Sequence, residues 1–222
     1  MRVLYHLPLS PFCRKIRIVL AEKKLEFELR AEPIWERRAA FLGLNPAGEV
    51  PVLVEDDGRV FADSAAIAEY LDESHPERAL LGKGIDERAE VRRLVAWFDR
   101  KFNTEVTENL LGEKVMNRLL GLGGPDSLAI RAGLANIGYH LDYIAFLTER
   151  RNWLAGDQLT LADIAAAAHL SAVDYLGDVP WANHDQAKTW YARIKSRPSF
   201  RDILNDQIPG LSPARPYANL DF

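Results

Sequence analysis

The 222-residue chain has a single cysteine, Cys13, so no intramolecular disulfide can form; one lone thiol suits a reducing compartment, and a cytoplasmic location is expected. Its five histidines, His6, His75, His140, His169 and His184, are scattered without the short spacings of metal-ligand sets, and no metal is expected. No apolar run approaches the ~20 residues needed to cross a bilayer, so no transmembrane segment is expected. Excess positive charge is missing too. The 28 Lys and Arg stand against 32 Asp and Glu, a formal net charge of −4 that argues against general affinity for nucleic acid. Met1 to Tyr5 enter a strand pattern at once, which leaves no room for a secretory leader. Internal repeats and low-complexity tracts are absent. What is present is ordinary globular material: 48% hydrophobic and 27% charged residues, enough for a sizeable core, at a length that accommodates a compact domain plus a second.

The first seventy-five residues read as β-α-β-α-β-β-α. Val3 to Leu7 is a short apolar run that stops at Pro8-Leu9-Ser10-Pro11. Ser10 fits a helix N-cap and Pro11 the first helical position, and Ile16, Val19 and Leu20 recur at the spacing of a buried helix face. Phe27 to Arg30 alternates as a strand, and Trp35 to Leu44 is helix-compatible. Val52-Leu53-Val54, Asp57-Gly58 and Arg59-Val60-Phe61 form a hairpin signal. Asp63-Ser64 then opens another helix, with Ile67, Tyr70 and Leu71 on one face. Crossover helices between early strands followed by a hairpin imply a mixed sheet covered by helices. Between the charged stretch and the hairpin lies Asn45-Pro46-Ala47-Gly48-Glu49-Val50-Pro51-Val52-Leu53, a turn entering a strand, with Val50-Pro51 a candidate cis bond.

Strand signals vanish after a linker at residues 76–86. Val91, Leu94, Val95, Phe98, Phe102 and Val106 form a long helical stripe, and Ile130, Leu134, Ile137, Leu141 and Ile144 a second one beyond a glycine-rich break. Thr160-Leu161-Ala162-Asp163 reads as a capping box in which Asp163 replaces the usual Glu, opening a helix so apolar that it belongs at the centre of a bundle. The expected organisation is residues 1–75, linker 76–86, an all-helical part 87–205 and a tail 206–222.

These features together resemble the cytosolic glutathione transferases. The resemblance is carried by Asn45-Pro46…Gly48-x-Val50-Pro51-Val52-Leu53, by Asp63-Ser64 before a helix, by Thr160-Leu161-Ala162-Asp163, and by Arg193-Ile194-x-x-Arg197-Pro198-Ser199-Phe200. It implies an α/β thioredoxin-like N-terminal domain joined to an all-α C-terminal domain. It also implies a glutathione site in which the backbone of Val50, before a cis Pro51, meets the cysteinyl part. Asp63 and Ser64 would hold the γ-glutamyl end, where free N–H groups of a helix N-terminus favour a carboxylate. Ser10 aligns with the serine that several classes use to hold the glutathione thiolate; read from its own surroundings, it is equally an N-cap. Cys13 aligns near the cysteine of disulfide-exchanging classes, and read by itself it is a small core residue. Thr160 and Asp163 take structural roles.

Three departures turn the expectation away from a simple transferase. Glu49 puts a carboxylate where relatives carry Gln or Lys near glutathione's own carboxylates, so weak or absent glutathione binding is expected. Trp35 lies among charges, as interaction anchors do. The tail from Gly210 to Phe222, with Pro213 and Pro216, is expected to be extended, its Tyr217, Leu220, Asp221 and Phe222 resembling a recognition peptide. Ile34 to Arg38, Leu110 to Met116 and the terminal Tyr-Ala-Asn-Leu-Asp-Phe resemble one group within the family, the FtsZ-localised protein A group of bacterial cell division. That resemblance implies a homodimer that binds the tubulin-like polymer FtsZ and bridges or curves its filaments. The alternative is a glutathione S-transferase acting on small electrophiles, with Ser10 stabilising the thiolate.

Overall fold

The computed structural model describes residues 1–220. Strand β1 (Arg2–His6) lies at the centre of a four-stranded sheet, parallel to β2 (Phe27–Ala31) on one side and antiparallel to β3 (Val52–Val54) on the other. β3 continues by the expected Asp57-Gly58 turn into β4 (Val60–Ala62). The register places Leu4 opposite both Leu29 and Leu53, and Leu4 and Leu53 are fully buried. The mixed sheet follows from the connections. β1 reaches its parallel neighbour through helix α1 (Pro11–Glu22), whereas the tight turn closed by Gly58 N–H on the Glu55 carbonyl (3.0 Å), with Asp56 and Asp57 at its centre, joins antiparallel strands. Helix α3 (Ser64–Ser74) closes this half of the molecule, with Tyr70 stacked on Phe61 at 3.8 Å between centroids.

Between β2 and β3 the expected helix over Trp35 to Leu44 is interrupted. Ile34–Glu36 makes one 3₁₀ turn, Arg37 adopts a left-handed φ of 45°, and only Ala39–Leu42 is helical, as α2. A non-glycine residue in that region stops a right-handed helix.

The second half is all helix. α4 (Ile85–Ala96) starts two residues ahead of the expected position 87, and runs without a break into a π-helical segment (Trp97–Met116) and then α5 (Asn117–Leu119). On its buried face Phe98, Phe102, Val106, Leu110 and Val115 recur every fourth to fifth residue, the wider winding's own period, with Thr107 and Leu111 buried beside them. Helix α6 (Ser127–Thr148) packs against this segment. There the expected stripe needs correcting: Leu134 is 43% exposed, and Gly133 takes the inner place because a Cβ on it would lie 2.8 Å from Leu110 Cγ. Helix α7 (Leu161–Leu176) is central and buried along nearly its whole length, as its composition demands. Asp163 receives the N–H groups of Thr160 (3.0 Å) and Leu154 (2.9 Å), the Thr160 hydroxyl (3.1 Å) and the Trp190 indole (3.0 Å). Helices α8 (Asp185–Lys195) and α9 (Arg201–Leu204) complete the bundle.

α1 joins the halves by charge as well as by packing. Arg14, Lys15, Arg17 and Glu22 are all buried, and each is paired with a residue of the helical half or of the chain beyond α9: Asp206 for both arginines, Asp99 for Lys15, Arg197 and Ser199 for Glu22. Lys23, next in sequence, pairs with Asp72 and donates to the carbonyls of His75 and Arg78, which fixes the start of the linker.

Candidate functional site

A cleft of about 780 Å³ opens between the sheet half and the helical half. One wall is the loop before β3 and the start of α3. Asn45 shapes that loop: its Nδ2 donates to the Glu49 carbonyl (2.9 Å), its Oδ1 accepts from the Ala47 N–H (3.2 Å), and its own carbonyl accepts from the Gly48 N–H (2.9 Å). Gly48 supplies the left-handed φ of 71° that the turn needs. Val50 and Pro51 follow with the expected cis bond and face the cleft. Asp63, at φ 72°, caps α3 by accepting at Oδ1 from Ala65 (2.7 Å) and Ala66 (3.1 Å), and Ser64 lies buried beside it against the cleft. Glu49 lines the same wall and is exposed.

The opposite wall is α4, the start of the π-helical segment and Leu161. Phe12 and Lys15 of α1 and Asp99 form the floor. Lys15 is 1% exposed and pairs with Asp99 Oδ2; Asp99 Oδ1 stands 3.4 Å from His169 Nε2, and His169 Nδ1 meets the Thr107 hydroxyl at 3.0 Å. Burial opposes ionisation of Asp99, yet the Lys15 charge and His169 hold its carboxyl below the ordinary range. Burial also pushes His169 below its ordinary value, so this imidazole is neutral near pH 7.

Two candidate catalytic residues do not reach this space. Ser10 is the N-cap of α1, its Oγ accepting from the Cys13 N–H at 3.3 Å, and it is not among the cleft-lining residues; Phe12 is. Cys13 is corrected outright as a disulfide-exchanging thiol. It is fully buried, its sulfur accepts from the Leu7 N–H (3.5 Å), and burial pushes the thiol up to about 11. Lys15, Asp99 and His169 escaped the sequence reading. The available signal was charge set into the buried face of a helix, Lys15 directly before Ile16.

The partner-facing candidates divide. Trp35 stands 38% exposed in its 3₁₀ turn, and Leu220 is 38% exposed. Tyr217 is corrected: it is fully buried, donates its hydroxyl to the Ile203 carbonyl (3.1 Å), and packs edge-on against Tyr175 at 5.1 Å, with Arg14 5.8 Å from its ring. The tail is corrected as well. It folds into turns rather than an extended chain, with Gly210 at φ 75°, Leu211 bonded back to Ile208, Ala214 to Tyr175, and Tyr217 to Ala214. Asp221 and Phe222 lie outside the described residues. Among the described residues no cluster of His, Cys, Asp and Glu could hold a metal, and no helix is long and apolar enough to cross a membrane.

Family models for the N-terminal and C-terminal domains of glutathione S-transferase match residues 4–79 and 137–198. FtsZ-localized protein A of Caulobacter vibrioides is 50% identical over 224 residues, spanning 100% of this chain and 98% of that protein. The chain belongs to the glutathione S-transferase family. Within the family, a crystal structure described as a glutathione S-transferase from Rhodospirillum rubrum F11 superimposes with a TM-score of 0.98 at 59% identity, covering 100% of both chains. FzlA from C. crescentus gives a TM-score of 0.96 at 50% identity, covering 100% of this chain and 99% of that one.

Proposed function

We infer that this protein is an FtsZ-binding regulator of bacterial cell division built on the glutathione S-transferase scaffold. It acts as a cytoplasmic homodimer that bridges or curves FtsZ filaments at the division site and binds glutathione weakly or not at all. The observation that carries the reading is the end-to-end similarity to FtsZ-localized protein A. Fold alone would not do so, because one fold hosts many functions. Two features of the chain support it. Trp35 and Leu220 are large apolar side chains held outward, and the solvent face of α6 carries Tyr139 (76% exposed) and Phe146 (61% exposed), an apolar surface that a second copy would cover. Against productive glutathione chemistry stand the acidic Glu49 in the clamp wall and the absence of Ser10 from the residues that line the cleft.

Co-sedimentation with FtsZ polymers tests the reading. Full-length protein is expected in the pellet, with Trp35→Ala and a chain ending at residue 217 left largely in the supernatant. Full-length protein that stays in the supernatant overturns it. The second reading, conjugation of glutathione to small electrophiles, is favoured by the description of the Rhodospirillum structure. It requires turnover of a generic electrophile that disappears in Ser10→Ala.

A further inference from the structure

Helix α6 runs antiparallel to the π-helical segment, because their contacts fall in opposite order. Gly133 lies against Leu110, Asn136 donates to the Glu105 carbonyl (3.1 Å), and Tyr143 meets Trp97 at 4.4 Å between ring centroids. Residues 117–128 are therefore the turn of a helical hairpin, far in sequence and in space from the cleft. This turn stands clear of its surroundings: a Cβ on Gly121, Gly123 or Gly124 would meet nothing within 4 Å. Local hydrogen bonds hold its shape. The Leu122 N–H donates to the Asn117 carbonyl (2.9 Å), Glu113 accepts from Asn117 Nδ2 and from the Asp126 N–H (both 2.9 Å), and Asp126 caps α6 by accepting from the Leu128 N–H (2.7 Å).

On this turn four leucines face solvent: Leu119 and Leu120 at the end of the first helix, Leu122 (69% exposed) in the loop, and Leu128 (66% exposed) in the first turn of α6. Single exposed apolar residues are ordinary, but four on one projecting turn mark a contact surface. Two features choose what it contacts. Protein-binding hot spots centre on Trp, Tyr and Arg, with Leu under-represented, whereas Leu is among the side chains that enter hydrocarbon most readily. Charge points the same way. Arg118 and Arg131 flank the leucines, both exposed and without an ion pair among the described residues. The two acids of the turn, Glu113 and Asp126, are engaged by N–H groups at the α6 N-terminus, whose dipole offsets their charge. A convex apolar tip rimmed by arginine complements a flat anionic surface and offers no groove to a peptide or a small molecule.

We propose that this turn docks on an anionic lipid surface, its leucines entering the boundary between headgroups and acyl chains and Arg118 and Arg131 meeting lipid phosphates. Tyr139 lies about 16 Å further along α6, so the contact is separate from the face assigned to a second copy, and it requires neither FtsZ nor glutathione. Sedimentation of the full chain with sucrose-loaded vesicles tests it, using equal parts phosphatidylglycerol and phosphatidylcholine against phosphatidylcholine alone. At about 50 mM NaCl the protein is expected to pellet with the anionic vesicles and to bind the neutral ones about tenfold more weakly. Leu122→Gln with Leu128→Gln, both at exposed positions outside the core, is expected to lower binding about tenfold or more. Arg118→Gln with Arg131→Gln is expected to remove the preference for anionic vesicles. Protein left in the supernatant at about 1 mM anionic lipid, equal binding to both vesicles, or unchanged binding in the leucine pair overturns the proposal. A leucine pair that shifts the size-exclusion elution, or that loses FtsZ co-sedimentation while vesicle binding is absent, assigns the turn to a protein contact and overturns it as well.

Discussion

At the scale of single residues, burial decides between roles that look alike in sequence. Cys13 and Tyr217 each have the chemistry of a site residue, yet both are enclosed, whereas Lys15 looks like one more surface charge and is 1% exposed. His6 shows what such burial does with pH. It ends β1 with Nδ1 buried and without a hydrogen-bond partner among the described residues, and burial, reinforced by the Arg17 charge against the weaker pull of Asp206, lowers it to about 4. In the unfolded chain it titrates near its ordinary value of about 6.5. The unfolded state therefore takes up the proton first as pH falls, so this stabilisation is complete above about 6.5 and drains away toward 4, on the order of 3 kcal/mol in all. Urea midpoints are expected to fall between pH 7.5 and 5, and His6→Phe is expected to flatten that part of the slope.

At the scale of elements, the boundaries were legible where local chemistry sets them. Ser10-Pro11, Asp57-Gly58, Asp63-Ser64 and Thr160-x-x-Asp163 are caps and turns whose geometry the residues dictate, and each ends or starts an element as read. Faces were less legible, because a face is defined by its neighbour. Leu134 fits the apolar stripe of α6, but the π-helical segment approaches so closely that only Gly133 fits beneath it. The spacing of Phe98, Phe102, Val106, Leu110 and Val115 does announce the wider winding, but only to a reader who tests a period longer than 3.6. The two glycines of α6 make the point measurable. Gly138→Ala, whose Cβ would meet nothing nearer than 3.8 Å, is expected to stabilise by up to about 1 kcal/mol. Gly133→Ala would place a Cβ 2.8 Å from Leu110 and 2.9 Å from Asn109, and overpacking of about 1–3 kcal/mol outweighs the same helix preference. Denaturant midpoints should move in opposite directions.

At the scale of the whole molecule, α1 is what makes two halves and a tail into one body, and Arg14 is its most connected side chain. It donates to the Pro8 carbonyl (2.7 Å), Ser171 (2.9 Å) and Asp206 (3.2 Å), with Tyr175 and Tyr217 about its guanidinium. Arg14→Met is expected to cost about 3–5 kcal/mol, because buried polar partners lose their cation. It should also free the tail, so that chymotrypsin cuts after Tyr217 before it attacks the bundle; in the unaltered protein that ring is enclosed. The division of the chain into an α/β and an all-helical part was readable from where strand patterns stop, but the charge network joining them was not, since no local rule ties Arg14 to a residue 192 positions away. The buried Tyr217 ring has a mechanical meaning. It acts as a mooring point, and Leu220, three residues on, stands at most about 11 Å from it along the chain. Anything gripped at Leu220 is held at a short stand-off, and tension on that grip passes into α1 and the core with little slack to absorb it.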